Sequence, residues 1–460
     1  MLRLLFLLLI FLYLSSVIFP QLNVEGLISV LCLAAVISTF WRAKKFVRIL
    51  GSLFLLSGAA LLWTSGAGWQ HYILSFGPML DLLTMFTLIP ILGIPIKLGQ
   101  YSESIQTLIE RKVKTSGHLY ILTSGISYFF SIFMNLATLP MTYYSIRPAL
   151  HVFAIPHEER FMSRAITRGF AMPLTWAPVT PIVGIVIVMT GVSWSSVLPY
   201  LIPLSIFGLL TDWFLGSRKA KRLPARQNAI SMQEMAVAAE SNALSRPGRI
   251  AHILIAILLF NVAISIIEVQ LPYSFLILVS LLVIPFAFSW ALLLKKGKAF
   301  GTQLSSHFQS VADSMKDQFF IFLSAGFFIS TINVSHANDW LYAVITNVID
   351  TISVEIFLIL LPLIPLAFAF LGFHPAVTLA LMAEALNPSA IGISPVILTV
   401  AMLAGAVSAF LVGPYNATIG LMSNIAKESS YKISNWNLGF TCLYIGFVMM
   451  YLFLLELFIA

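Results

Sequence analysis

The sequence predicts an all-α polytopic membrane protein of about eleven transmembrane helices plus two opposed re-entrant hairpins. Three observations carry that prediction. Hydrophobic residues make up 59% of the chain and charged residues only 10%, where a soluble domain is usually about 45–50% apolar and about 25% charged. Apolar residues gather into thirteen segments, roughly 2–19, 25–40, 49–66, 74–96, 118–146, 174–190, 195–212, 251–269, 273–294, 319–335, 353–386, 395–424 and 438–459. Most are close to the ~20 residues that a spanning helix needs. Finally, all 26 Lys and Arg can be placed on one side of the membrane, as cytoplasmic loops require. The net charge of +8 then reflects loops facing anionic lipid rather than a nucleic-acid surface.

Taken in order, residues 1–24 hold an extra N-terminal helix. Arg3 before a Leu-rich run resembles a signal peptide, but no small-residue cleavage site precedes Pro20, so a retained helix is expected. Basic groups at Arg3, at Arg42 to Arg48 and at Lys97 to Lys114 fall inside by simple alternation. Had residues 118–146 crossed once, Arg147, Arg160, Arg164 and Arg168 would lie outside. A hairpin opening to the cytoplasm keeps them in, and it explains the interruption from Asn135 to Pro140. The alternative is a tilted single span with a local breach of the charge rule. Residues 353–386 repeat the argument from the other side, because residues 336–396 contain no Lys or Arg. The N-terminus is expected inside and the C-terminus outside, in a plasma (inner) membrane.

The two halves share one order: three spans, a surface helix, a hairpin, an interrupted span and a final span. Residues 25–212 form the first repeat, 213–250 a cytoplasmic linker, and 251–460 the second repeat. An odd number of crossings per unit inverts the second, the plan of many secondary transporters, with substrate near the midplane. The surface helices show apolar stripes at Ile105, Leu108 and Ile109, and at Leu341, Val344, Ile345, Val348 and Ile349. Residues 231–245 of the linker are expected to form a short helix. Cys32 and Cys442 lie in apolar runs and read as core thiols without a disulfide.

Polar residues at helix breaks are the candidate site. The first hairpin tip reads Met134-Asn135-Leu136-Ala137-Thr138-Leu139-Pro140. A broken helix there frees backbone groups that are tolerated only inside protein or against a cavity. The next span carries Trp176-Ala177-Pro178-Val179-Thr180-Pro181, whose two prolines force a break. The second hairpin turns at Gly372-Phe373-His374-Pro375, with Thr378 on its return arm. The mirror-image break is Gly413-Pro414-Tyr415-Asn416-Ala417-Thr418. Each has a bland reading: a packed Asn, a proline kink, a His bonding its own turn. Asn135, Ala137, Thr138, Pro178, Thr180, His374, Thr378, Pro414, Asn416 and Thr418 are the expected binding residues. Asp81, Glu268 and Glu384 fall near outer helix ends rather than the midplane, and no arginine is expected to be buried. This argues against a carboxylate-centred antiporter and for ions held by neutral oxygens. No His-Glu-x-x-His, Gly-x-Ser-x-Gly or paired aspartate motif is present, so no enzyme is expected.

The pattern resembles the ion transporter superfamily, most nearly the divalent anion–sodium symporters. In that family the hairpin tips carry Ser-Asn-Thr motifs; here Asn135, Ala137 and Thr138 match an extended form, while Met134 and Leu136 depart from it. The second tip has no Asn. The resemblance implies an elevator mechanism and a dimeric scaffold. The expected activity is sodium- or proton-coupled transport of a small organic anion. Nucleosides or another neutral metabolite are the alternative cargo, and a non-transporting scaffold the alternative class. If the coupling ion is sodium, Asn135 and Asn416 are expected to hold it; no other metal or cofactor is expected. The expected partners are the substrate, membrane lipid and a second copy of the chain, with no nucleic acid.

Overall fold

A computed structural model describes residues 2–99, 113, 115–153, 155–221, 248–386 and 392–459. Helices are the only extended elements among them. The first surface stripe, at residues 105–109, and the expected helix at 231–245 fall outside the described residues.

The chain opens with α1 (Leu2–Ile18), α2 (Glu25–Phe40) and α3 (Lys45–Thr64). A broken span follows, α4 (Leu80–Leu88) and α5 (Gly93–Leu98), joined by a tight turn that starts at Ile89-Pro90. The rest of the first half is α6 (Ser116–Met134), α7 (Thr138–Phe153), α8 (Glu158–Ala171), α9 (Pro181–Thr190) and α10 (Trp194–Lys221). The second half holds α11 (Gly248–Gln270), α12 (Phe275–Leu293), α13 (Gly297–Val334), α14 (Ala337–Ile352), α15 (Val354–Leu360) and α16 (Leu363–Phe370). It closes with α17 (Pro375–Ala385), α18 (Pro395–Val412), α19 (Ala417–Ala426) and α20 (Ser430–Ile459).

Nine helical stretches among the described residues are long and apolar enough to cross a membrane, or up to ten if the pair α14–α15, bent by 107°, counts as one. Eleven were expected besides the two hairpins; eight of those are among the nine, whose ninth member is the stretch Ser116–Leu150. The other three are α1, α2 and α9, which are apolar but only 17, 16 and 10 residues long. At ~1.5 Å per residue the longest of them reaches ~25 Å, against a hydrocarbon core of ~30 Å. Pro20 and Pro181 cut two of them short, since proline cannot sit in a helix interior without loss of a hydrogen bond.

One wall is built by α3 on α13, with α1 and α2 against the same long helix. Two glycines allow the close approach. A methyl at Gly51 would lie 2.4 Å from the Phe320 ring, and one at Gly58 would lie 2.8 Å from Phe327. Seven residues apart, they share one helix face. Phe6 stacks on Phe319 at 3.7 Å, which ties α1 to the wall.

The path of the first half follows from three helices. Along α10, Gly216, Asp212 and Ser205 meet Tyr120, Ser124 and Tyr128 of α6 in that order. On the same ruler Asp212 meets Arg168 and Ser205 meets Met172, at the end of α8. Both α6 and α8 therefore run against α10 and parallel to each other. The chain between them must come back, and α7 brings it. In the second half Gly405 sits on Pro362 and Gly413 on Ala369, so α16 and α18 also run in parallel. There α17 returns the chain. The halves then exchange elements: α9 packs on α17 and α18, while α19 packs on α7 and α8.

Burial ranks the helices. The apolar window of residues 395–426 is 94% buried, that of 252–270 only 22%, so α18 and α19 form the centre and α11 an outer face. The second surface helix, α14, is present. Of its expected stripe only Ile349 is buried against protein, and Val344 and Val348 are exposed. Two expectations need correction. The final span of the first half continues to Lys221 rather than ending at 212, because Trp213, Phe214 and Leu215 prolong its apolar face. Of the cysteines, Cys32 is buried but Cys442 is exposed, on the outward face of α20.

Candidate functional site

The first break is sharp. Asn135 adopts φ 46° and ψ −135°, which ends α6, and a tight turn over Asn135–Ala137 leads into α7. A positive φ is unusual for any residue but Gly, and Asn is among those that tolerate it. Ala137 is exposed and Asn135 half-buried, whereas Thr138 is fully buried.

Thr138 introduces an anomaly. Threonines buried in these helices normally bond a carbonyl one turn back, as Thr39, Thr84, Thr87, Thr123, Thr167 and Thr190 do at 2.7–2.8 Å. The hydroxyls of Thr138, Thr142, Ser163 and Thr418 have no partner among the described residues although all four are buried. They lie on α7, α8 and α19, three helices that pack on one another in every pairing. A buried hydroxyl without a partner costs about 1–3 kcal/mol, so native structures seldom keep several together. The N-termini of α7 and α19 also open here, and helix N-termini favour negative charge.

The break at Gly413-Pro414 behaves differently at its most prominent residue. The Asn416 Oδ1 accepts from the Ile419 N–H at 2.8 Å, and its Nδ2 donates to the carbonyls of Ala409 at 2.8 Å and Phe410 at 3.1 Å. The amide clasps the last turn of α18 to the first turn of α19. This engages the groups that the sequence assigned to an ion. Pro414 is buried beside it, and the unengaged group of the motif is the Thr418 hydroxyl.

The remaining expected residues fall at another corner, where α9 meets α17 and α18. Pro178 is buried and Thr180 precedes α9 without a capping bond. The His374 Nδ1 accepts from the Ala376 N–H at 3.2 Å and caps α17. Its ring stands edge-on to Phe86, Phe322 and Phe410. Thr378 donates to the His374 carbonyl at 3.5 Å. Here the hydroxyls of Thr190 and Thr399 bond each other at 2.9 Å. The ten residues expected in one site are thus divided: Asn135, Ala137, Thr138, Pro414, Asn416 and Thr418 at the α7–α8–α19 corner, and Pro178, Thr180, His374 and Thr378 at the α9–α17–α18 corner.

Sequence reasoning missed a buried charge pair. Arg168, 5% exposed, donates to Asp212 at 3.2 Å, to the Asn437 side chain at 3.0 Å and to the Trp436 carbonyl at 3.0 Å. Asp212 also accepts from Tyr120 at 2.7 Å and from Ser124 at 2.8 Å. Such a pair is tolerated only when its remaining hydrogen-bonding capacity is met. The expectation that no arginine is buried is overturned. The sequence signal was available: Arg160, Arg164 and Arg168 recur every four residues, one helix face, and Asp212 closes an apolar run. On the far side of the molecule, Asp81, Ser330, Asn333 and Glu384 line a cavity of about 370 Å³ between α4, α9, α13 and α17.

No family model matches the chain, and no curated protein matches it. Solved membrane transporters do share its fold. The YdaH transporter of Alcanivorax borkumensis is similar over 82% of this chain and 85% of its own, with a TM-score of 0.52 and 14% identity. MtrF of Neisseria gonorrhoeae, described with a class of antimetabolite efflux pumps, is similar over 90% of this chain and 98% of its own, with a TM-score of 0.57 and 14% identity. At that identity the likeness is one of fold: an all-helical, multi-span membrane protein.

Proposed function

We propose that this protein is a secondary active transporter of a small organic anion of the carboxylate class, coupled to sodium or protons. The observation that carries this reading is the group of unpartnered hydroxyls on Thr138, Thr142, Ser163 and Thr418. They lie on α7, α8 and α19, where a helix of the second half packs on two of the first. Neutral oxygens of this kind suit sodium, and the adjoining N-termini of α7 and α19 favour a carboxylate. In this reading α6–α7 and α15–α17 are re-entrant hairpins of an inverted repeat. They move as an elevator with the broken helices against the wall of α3 and α13. The fold shared with two transporters supports the class. The antimetabolite efflux ascribed to MtrF makes export of such an anion one direction to test.

A second reading, transport of a nucleoside or another neutral metabolite, has its own support. Arg168, the buried cation near this corner, is already engaged by Asp212 and is not free to neutralise a substrate.

The test is thermal stability of the purified full-length protein against carboxylates, nucleosides and sugars, in sodium or choline, because a ligand that binds the native state raises its apparent stability. The proposal expects a carboxylate to shift the midpoint only with sodium or at one end of the pH range. A shift from a nucleoside alone supports the second reading. No shift from any carboxylate under any cation or pH contradicts the first.

A further inference from the structure

A second cavity, of about 250 Å³, opens between α6, α8 and α10 and is lined by Tyr120, His157, Arg160, Arg164, Arg168 and Lys219 among others, none of them acidic. The three arginines descend one face of α8. Arg160 is exposed, Arg164 half-buried and Arg168 buried, so the cavity carries positive charge from mouth to floor. At the floor Arg168 is neutralised by Asp212. No ion pair of Arg160, Arg164 or Lys219 is present among the described residues. Arg164 uses its Nε on the Trp436 carbonyl at 2.9 Å. Its two terminal nitrogens, the fork that grips an oxyanion, make no hydrogen bond among the described residues.

Three uncompensated cations around one pocket repel one another. A bound anion would turn that repulsion into attraction, and a doubly charged one would come close to balancing the cavity. The same face carries the Lys and Arg that the sequence places in the cytoplasm, where anionic lipid headgroups lie.

We propose that this cavity binds a phosphate-class anion through Arg160, Arg164 and Lys219, with Tyr120 at its wall. The group is a free phosphate or the phosphodiester of an acidic phospholipid. This site is separate from the hydroxyl corner and does not depend on the transport reading. Because Arg164 and Arg168 both bond the Trp436 carbonyl of α20, the anion would brace the first half of the chain against the second.

The experiment uses delipidated, full-length protein in neutral detergent. Its thermal midpoint is titrated with inorganic phosphate, with short-chain phosphatidylglycerol, and with phosphatidylcholine as the neutral control. Phosphate or phosphatidylglycerol should raise the midpoint and phosphatidylcholine should not. Each of Arg160→Gln, Arg164→Gln and Lys219→Gln should weaken that binding about tenfold, whereas Lys298→Gln, an exposed charge elsewhere, should leave it unchanged. A response to phosphate identifies a soluble ligand; a response to phosphatidylglycerol alone identifies a lipid headgroup. Arg160 and Lys219 are exposed, so their variants read the site even if Arg164→Gln does not fold. The proposal is overturned if neither anion shifts the midpoint, or if the site variants respond as Lys298→Gln does.

Discussion

The two places where the halves of the chain exchange elements are built alike and finished differently. At one, α19 packs on α7 and α8; at the other, α9 packs on α17 and α18. Both follow a proline-marked break and both bring hydroxyls inward. At the α9 corner most of those hydroxyls are satisfied: Thr190 bonds Thr399, Thr378 bonds the His374 carbonyl and His374 caps its own helix, while Thr180 makes no capping bond. At the α19 corner four hydroxyls have no partner among the described residues. Charge follows the same division. α8 carries Arg160, Arg164 and Arg168, whereas its counterpart α18 is apolar or small throughout and wholly buried from Ile397 to Val412. The two corners are packed alike, but their chemistry differs. One corner has the composition of a packed joint, and the other leaves hydrogen bonds for something else to complete.

The largest effect that would break this comparison lies in the charged half. Asp212→Ala would leave Arg168 buried without its counter-ion and should destabilise the protein by about 3–5 kcal/mol, read as a fall in the thermal midpoint. The double variant Arg168→Met/Asp212→Leu should recover much of that loss. If it does not, the pair is more than a compensated burial. Asn416→Ala should cost less, about 2–3 kcal/mol, because it removes a helix cap and two donated hydrogen bonds. Asn416→Asp should be worse than Asn416→Ala, since it turns an acceptor toward the carbonyls of Ala409 and Phe410. Equal stability of the two variants would contradict the clasp. The smallest effect belongs to the other corner: Thr399→Val, which removes a hydroxyl bonded to Thr190 and to the Pro395 carbonyl, should cost about 1 kcal/mol and leave ligand binding unchanged.

Much of the fold was legible before any coordinates. The apolar segments gave the helical class. The placement of Arg147 to Arg168 favoured a return of the chain after residue 134 over a tilted single span, and a break does fall there, at Asn135. Prolines 178, 181 and 414 marked the breaks. Three things were not legible. The charge rule treats an arginine as a loop residue, so Arg168 was placed outside the core. Its burial depends on Asp212, 44 residues away, a pairing that local pattern does not encode. Asn416 was read as a ligand because a break exposes carbonyls; those carbonyls are answered by Asn416 itself, which only the backbone path reveals. The count of spans was set by apolar length in sequence, and three of the helices are shorter in space, two of them bounded by a proline.

The most direct measurement compares the two corners under one ligand titration. The carboxylate or neutral metabolite that stabilises the parent protein would be titrated against Thr138→Val/Thr418→Val and against Thr190→Val/Thr399→Val. Valine keeps the shape of threonine and removes its hydroxyl. The first pair should fold with stability equal to the parent or higher, since two unsatisfied groups are removed, and should bind at least tenfold more weakly. The second pair should be less stable and bind as the parent does. Equal loss of binding in both pairs, or normal binding in the first, would contradict the assignment of the site to the α19 corner.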